Sequence, residues 1–103
     1  MDAQTPITFV VTGRVTRADV PALCAELEAL LTRSPAAVVD CDVHGVPGAD
    51  LTLVEAVARL ALVARRAGAR LRLRHAPGEL RSLLGLVGLA EVVGPGGTDP
   101  DPP

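Results

Sequence analysis

The feature that most constrains this fold is a repeated change in the spacing of apolar residues along the chain. Three segments are rich in β-branched residues or alternate between apolar and polar side chains, which is typical of strands. Each precedes a segment whose apolar residues recur every three or four positions, as on one side of an α-helix. The predicted strands cover residues 7–12, 36–43 and 69–74. This order predicts an α/β domain with parallel strands joined by right-handed helical crossovers.

The first and last predicted helices carry recognisable start signals. The first has an apolar stripe over residues 20–31, and either Thr16 or Asp19 can accept the free N–H groups at its start. The last opens at Pro77, a residue that suits the first turn of a helix because its φ is already helical. Both helices are therefore expected to be amphipathic and to cover the sheet.

The longest helix is predicted from Asp50 to Ala67. Asp50 is a favourable N-cap, since its carboxylate can accept backbone N–H groups and its charge suits the positive end of the helix dipole. An alternative start has Thr52 as the cap, with Glu55 reaching back in a capping box. The sequence leaves both starts open.

Two leucines lie on the polar side of this helix. Leu51 and Leu62 project among Glu55, Arg59 and Arg66. Apolar side chains on a polar face often lie in an interface, whereas single surface leucines are also common. The pattern alone favours neither interpretation.

Charged residues occupy one face of the second and third predicted strands. Arg70, Arg72 and Arg74 alternate with leucines, so we expect them on a face that the helices leave open, either solvated or as a basic contact patch. Asp40 and Asp42 could form a carboxylate pair for acid–base chemistry, but no nucleophile or base accompanies them in sequence. We therefore predict no catalytic residues and no enzymatic activity.

The expected organisation is one domain over residues 7–93, between a short lead-in (1–6) and a disordered Gly/Pro/Asp tail (94–103). Two short strands are left open, one at Arg14-Val15 and an edge strand over residues 89–93.

Composition excludes several classes of function. A net charge of −2 argues against nucleic-acid binding, which needs a positive surface. No apolar run approaches the roughly 20 residues that span a bilayer, and no signal peptide is recognisable, so we expect a cytoplasmic location and no direct membrane insertion.

The spacing of the cysteines and histidines along the chain does not indicate a metal site. Cys24, Cys41, His44 and His75 lack the close spacing that zinc sites use, and no glycine-rich loop that could cradle a phosphate is present. We therefore expect no metal and no cofactor, with both cysteines as small buried hydrophobic residues.

Several segments, taken together, resemble a known family. Residues 42–46 (DVHGV) are similar to the DLSGV that ends a central strand in STAS domains, the anti-sigma-factor antagonist family. Residues 50–54 (DLTLV) stand where that family has DSSGL at a helix start. Residues 65–73 and 83–93 are similar to its helix–strand junction and its closing leucine-rich pattern. The resemblance extends over residues 7–93.

This resemblance implies a STAS-like small mixed, mainly parallel sheet with helices packed on one face. It also implies binding to an anti-sigma factor or serine kinase of histidine-kinase-like ATPase fold. In signalling members the first serine after the helix-capping Asp is phosphorylated and binding is lost, since a phosphate is costly in a packed interface. Here Leu51 stands at that phosphoacceptor position and cannot be phosphorylated, and Leu53 replaces the glycine. Thr52 would substitute only if the loop shifted register, which we do not expect.

We accordingly predict an interaction module that binds a regulatory partner without the serine switch. An alternative is a cytoplasmic subunit of an ABC-type lipid transport complex that binds the transporter ATPase, and a homodimer also remains open. The predicted partner-binding residues are His44, Gly48, Asp50, Leu51, Thr52, Glu55, Arg59 and Leu62.

Overall fold

The alternating strand-like and helix-like segments form alternating strands and helices in the computed structural model, which describes residues 5–89. The elements are β1 (Ile7–Thr12), a 3₁₀ helix (Arg17–Asp19), α1 (Val20–Arg33), β2 (Val38–Gly45), α2 (Leu51–Arg66), β3 (Arg70–Arg74) and α3 (Gly78–Leu86). The predicted α/β class is therefore confirmed.

The strands between residues 5 and 89 form one open sheet in the order β1-β2-β3, and both neighbouring pairs are parallel. Each strand is joined to the next by a helix, as the carboxyl end of one parallel strand must be returned to the amino end of its neighbour. In this register Asp40 lies opposite Arg72, and Asp42 lies opposite Arg74.

The core lies on one face of this sheet. The inward strand residues share it with the apolar sides of the helices, and Leu27, Leu60, Leu80 and Leu84 are almost fully buried. Within the described residues the opposite face is open, and its Val10 is 53% exposed. Helices packed on one face, as predicted, therefore leave the charged residues of β2 and β3 accessible to water.

The option of a strand at Arg14-Val15 was wrong. Gly13 adopts a positive φ of 75° and ends β1 in a turn, and Val15 enters the core from the loop that follows. The carboxylate of Asp19 accepts hydrogen bonds from the backbone N–H and the hydroxyl of Thr16, both at 2.9 Å. These bonds stabilise a tight 3₁₀ turn, so Asp19 does not cap α1 through its side chain.

The end of β2 departs from regular pairing with β1. Val10 lies opposite Asp42, but Thr12 lies opposite Gly45, so β2 carries one extra residue in this stretch. A Cβ at Gly45 would come within 2.9 Å of the Thr12 side chain, which explains the glycine at this close approach. The irregularity falls beside His44, where β2 ends and the loop to α2 begins.

Two expectations fall largely outside the described residues. Leu89 follows α3 outside any strand, whereas the rest of the predicted edge strand and the tail (90–103) lie beyond the described part of the chain. The same is true of residues 1–4 of the lead-in. Among residues 5–89, none of the helices combines the length and apolar character needed to cross a bilayer.

Candidate functional site

The loops that follow the three strands emerge at one edge of the sheet, because parallel strands all point their carboxyl ends the same way. Ligands of open α/β sheets bind preferentially at this edge. A small open cleft of about 160 Å³ lies between the loop after β1 and the loop after β2. Its walls are formed by Arg14, Val15, Val46, Pro47, Gly48, Ala49, Asp50 and Leu53.

The start of α2 is fixed by Asp50, which settles the two starts that the sequence left open. Asp50 is extended, and its carboxylate accepts the backbone N–H of Leu53 at 2.9 Å. Leu53 then turns into the core and is 3% exposed, whereas Leu51 points outward and is 69% exposed. The helix entrance therefore presents an apolar side chain, that of Leu51, to solvent.

Leu51 belongs to an exposed side of α2. We call this side the α2 outer face and define it by Leu51, Glu55, Arg59 and Leu62. Leu62 is 47% exposed. Arg59 Nε lies 3.4 Å from Glu55 Oε2, and Arg17 Nε lies 4.0 Å from Glu55 Oε1. Solvent-exposed pairs of this kind contribute little stability, so these charges are free to exchange partners.

The remaining predicted partner-binding residues lie in three places. Gly48 and Asp50 border the cleft, and Thr52 is half-buried at the first turn of α2. His44 is exposed, but its ring contacts Asp42 and His75. The structure thus groups four predicted residues on the α2 outer face and two at the cleft, and their role in binding stays a prediction.

A second cluster at the same edge was not predicted from the sequence. Asp42 Oδ1 lies 2.8 Å from Nδ1 of His44 and 3.2 Å from Nδ1 of His75, and it also accepts the backbone N–H of His44 at 3.0 Å. The two imidazole rings are edge-to-face, with centroids 5.9 Å apart. These three side chains can offer one ligand atom each within 4.8 Å of one another.

The electrostatics of this cluster follow from its hydrogen bonds. The backbone N–H of His44, followed by its ring, lowers the pKa of Asp42 to about 2, because donors aimed at a carboxylate favour the ionised form. Asp42 is therefore a carboxylate at neutral pH. The spacing of Cys and His along the chain does not reveal this group. The available signal was topological, since residues that end adjacent parallel strands lie at the same end of the sheet.

The arginine row on the open face is partly neutralised by the neighbouring strand. Arg72 Nε lies 2.8 Å from Asp40 Oδ1, and Arg74 Nη1 lies 3.7 Å from Asp40 Oδ2. The hydrogen bond to Asp40 raises the pKa of Arg72. Asp40 is thus engaged with arginines, an arrangement that favours the solvated sheet face over the alternative of a basic contact patch.

The cysteines are both free thiols and occupy different environments. Cys41 is buried in the core, and burial raises the pKa of its thiol to about 12, so it stays protonated and unreactive at neutral pH. Cys24 is only half-buried, in contrast to the buried position expected for both cysteines.

Comparison with protein families gives a match over residues 3–94, to the family described as "Mlab, STAS domain". A comparison with curated proteins finds no match. The family match extends over most of the chain and includes β2, the start of α2 and β3, the segments on which the resemblance was recognised. STAS domains are in general non-enzymatic interaction modules. The chain belongs to the STAS domain family.

Proposed function

We propose that this chain is a protein-interaction module that acts in the manner of an anti-sigma factor antagonist and works without a serine phospho-switch. Its partner is an anti-sigma factor or serine kinase of histidine-kinase-like ATPase fold, and the encounter takes place in the cytoplasm. The observation that carries the proposal is Leu51, an apolar side chain that is 69% exposed at the entrance of α2.

Because Leu51 is exposed, a partner can bury its side chain on binding. Full burial of a leucine side chain is worth about 1.5–3 kcal/mol, and a few such residues supply most of the affinity of many interfaces. Leu62 extends the apolar surface along the helix, and the Glu55–Arg59 pair beside it offers charges for orientation. An apolar spot surrounded by charges is the usual composition of a protein-binding patch.

The same position explains why binding is expected to be constitutive. Phosphorylation of an interface residue weakens binding by adding charge that must be desolvated. Leu51 has no hydroxyl, and Thr52 is half-buried where the first turn of α2 begins. Control of this module therefore depends on its abundance or on its partner, not on phosphate at the helix entrance.

The experiment is a quantitative co-purification from the source organism with the wild-type chain, Leu51→Asp and Leu86→Asp. Leu86 is a matched control, since it is an 82% exposed leucine on a different helix, α3. We expect the main partner to be recovered with wild type and Leu86→Asp and lost with Leu51→Asp. Equal recovery with all three would show that the α2 outer face is not the docking surface.

A second candidate is a cytoplasmic subunit of an ABC-type lipid transport complex that docks on the transporter ATPase. The absence of a hydroxyl at Leu51 favours this candidate too, because a permanent subunit needs no phosphate-controlled release. Mass spectrometry of the captured partner separates the candidates: a sigma-factor regulator supports the first, and a transporter ATPase with its permease supports the second. The identity of the neighbouring genes provides an independent check.

A further inference from the structure

We propose that Asp42, His44 and His75 bind one divalent transition-metal ion, of the Zn²⁺ class, at the carboxyl ends of β2 and β3. This inference is independent of the docking surface on α2. It departs from the sequence-based expectation of no metal site, which considered cysteines and histidines but not Asp42.

The distances among the three side chains suit one bound metal ion. Both histidine Nδ1 atoms converge on Asp42 Oδ1, at 2.8 Å and 3.2 Å, and all three ligand atoms lie within 4.8 Å of one another. Ligands bound to zinc at about 2.0–2.1 Å stand about 2.8–3.4 Å apart for bond angles between octahedral and tetrahedral values. The side chains therefore need only small rotations to surround an ion.

The backbone holds these side chains in place. The N–H of His44 donates to Asp42 Oδ1 at 3.0 Å, which orients the carboxylate as supporting hydrogen bonds orient metal ligands elsewhere. His75 has a φ of +61°, in the left-handed region that few non-glycine residues adopt. Backbone outliers of this kind cluster at functional sites because the surrounding structure must maintain them. Here the unusual conformation brings His75 to Asp42.

The two arginines of β3 nearest to Asp42 pair with a different carboxylate. Arg74 is the residue opposite Asp42 in the sheet, yet its guanidinium is directed to Asp40 at 3.7 Å. Arg72 also pairs with Asp40. Neither arginine therefore competes with the two histidines for the Asp42 carboxylate.

The ligand set indicates the class of ion. Two imidazoles and one carboxylate suit zinc and its neighbours, whereas Mg²⁺ and Ca²⁺ prefer oxygen ligands. The side chains of His44 and His75 are 65% and 64% exposed, so the remaining coordination positions face solvent and are open to water. The same geometry would serve in the absence of metal as a hydrogen-bonded tie between the two strand ends, and that is the explanation the experiment must exclude.

The experiment is calorimetric titration of ZnCl₂ into chelator-treated, tag-free full-length protein, followed by ¹⁵N-edited NMR of the imidazole rings. A metal on Nδ1 requires that atom to be deprotonated, with the ring proton on Nε2. We expect one equivalent of Zn²⁺ to bind and to shift Nδ1 of both histidines. His44→Gln, His75→Asn and Asp42→Asn should each weaken binding by at least about tenfold, the loss seen when even a residue supporting a ligand is removed.

Two controls address folding and competing ligands. Glu26→Gln makes the same carboxylate-to-amide change on an exposed residue of α1, and Cys24→Ser removes the accessible thiol. Both should retain wild-type affinity, and asparagine at position 75 tolerates the positive φ, so far-UV circular dichroism should remain native. The proposal is overturned if Zn²⁺ gives no heat at about 1 mM, if the three ligand variants bind as well as wild type, if Cys24→Ser abolishes binding, or if Nδ1 does not shift.

Discussion

Each of the two sides of α2 carries two leucines, but those of the inner side are buried and those of the outer face are exposed. The inner side packs Leu53, Val57 and Leu60 against the sheet and the other helices, and each is at most 3% exposed. The outer face leaves Leu51 and Leu62 exposed, beside Glu55 and Arg59, which pair with each other, and Glu55 also lies near Arg17. One helix thus carries a side that the fold requires and a side that the fold does not use.

The difference in burial separates the residues of α2 that stabilise the fold from those that do not. Apolar residues on the inner side are explained by burial, since each removes its side chain from water on folding. Leu51 and Leu62 have no such explanation within the described residues. Substitutions on the inner side should therefore change the stability of the domain, and substitutions on the outer face should change binding and leave stability nearly unaltered.

The largest effect is expected from Leu60→Ala on the inner side. Leu60 is 2% exposed, so truncation removes buried surface and leaves a cavity, at a cost of about 2–5 kcal/mol in the free energy of unfolding. Urea denaturation followed by circular dichroism measures it, with Leu62→Ala as the matched control, expected to stay within about 0.5 kcal/mol. Equal losses for the two variants would break the distinction between the sides.

The next largest effect is expected at Asp50, the N-cap of α2. Asp50→Ala removes the hydrogen bond to the N–H of Leu53 and should lower the free energy of unfolding by about 1 kcal/mol. Asp50→Asn retains a capping oxygen and should cost less, so the pair separates the hydrogen bond from the charge. A loss in Asp50→Asn as large as that in Asp50→Ala would indicate that the charge near the helix dipole dominates.

A smaller effect is expected from ion pairs, and it compares the sheet with the outer face. Asp40 and Arg72 pair across β2 and β3 with side chains that are 15% and 43% exposed. A double-mutant cycle with Asp40→Asn and Arg72→Gln should give a coupling of up to about 1 kcal/mol, reduced by salt. The same cycle on the more exposed Glu55–Arg59 pair should give about 0.3–0.5 kcal/mol, and a larger value there would mean that the outer face is more ordered than its exposure indicates.

The smallest effect is expected from Leu51→Asp. Position 51 is the first residue of α2, where a negative charge is favoured by the helix dipole, so this variant should be neutral or more stable by up to about 0.5 kcal/mol. Leu51→Arg should shift stability slightly in the opposite direction, which thermal unfolding of both variants at low salt would reveal. Marked destabilisation by either variant would show that Leu51 supports the fold.

The sequence predicts local features of this protein well. The period of the apolar residues identified the strands, the helices and the outward direction of Leu51 and Leu62, because these depend on residues a few positions apart. It failed at Arg14-Val15, where Gly13 and the bonds between Thr16 and Asp19 form a turn that strand propensity does not reveal. Short-range turn chemistry overrides propensity in such segments.

Contacts that depend on the alignment of two strands are poorly predicted from the sequence. The neutralisation of Arg72 by Asp40 depends on the register of β2 against β3, which spacing along the chain does not specify. The meeting of His75 with Asp42 depends on that register and on the positive φ of His75. These contacts join residues more than 30 positions apart, so no local pattern could have indicated them.

Docking through the α2 outer face is tested most sharply by the dissociation constant of the identified partner for the wild-type chain, Leu51→Asp and Leu86→Asp, measured with purified proteins. We expect Leu51→Asp to weaken binding by at least about tenfold, or 1.4 kcal/mol, with unchanged unfolding free energy, and Leu86→Asp to bind as wild type does. An unaltered dissociation constant for Leu51→Asp would contradict the claim that the α2 outer face is where this protein docks.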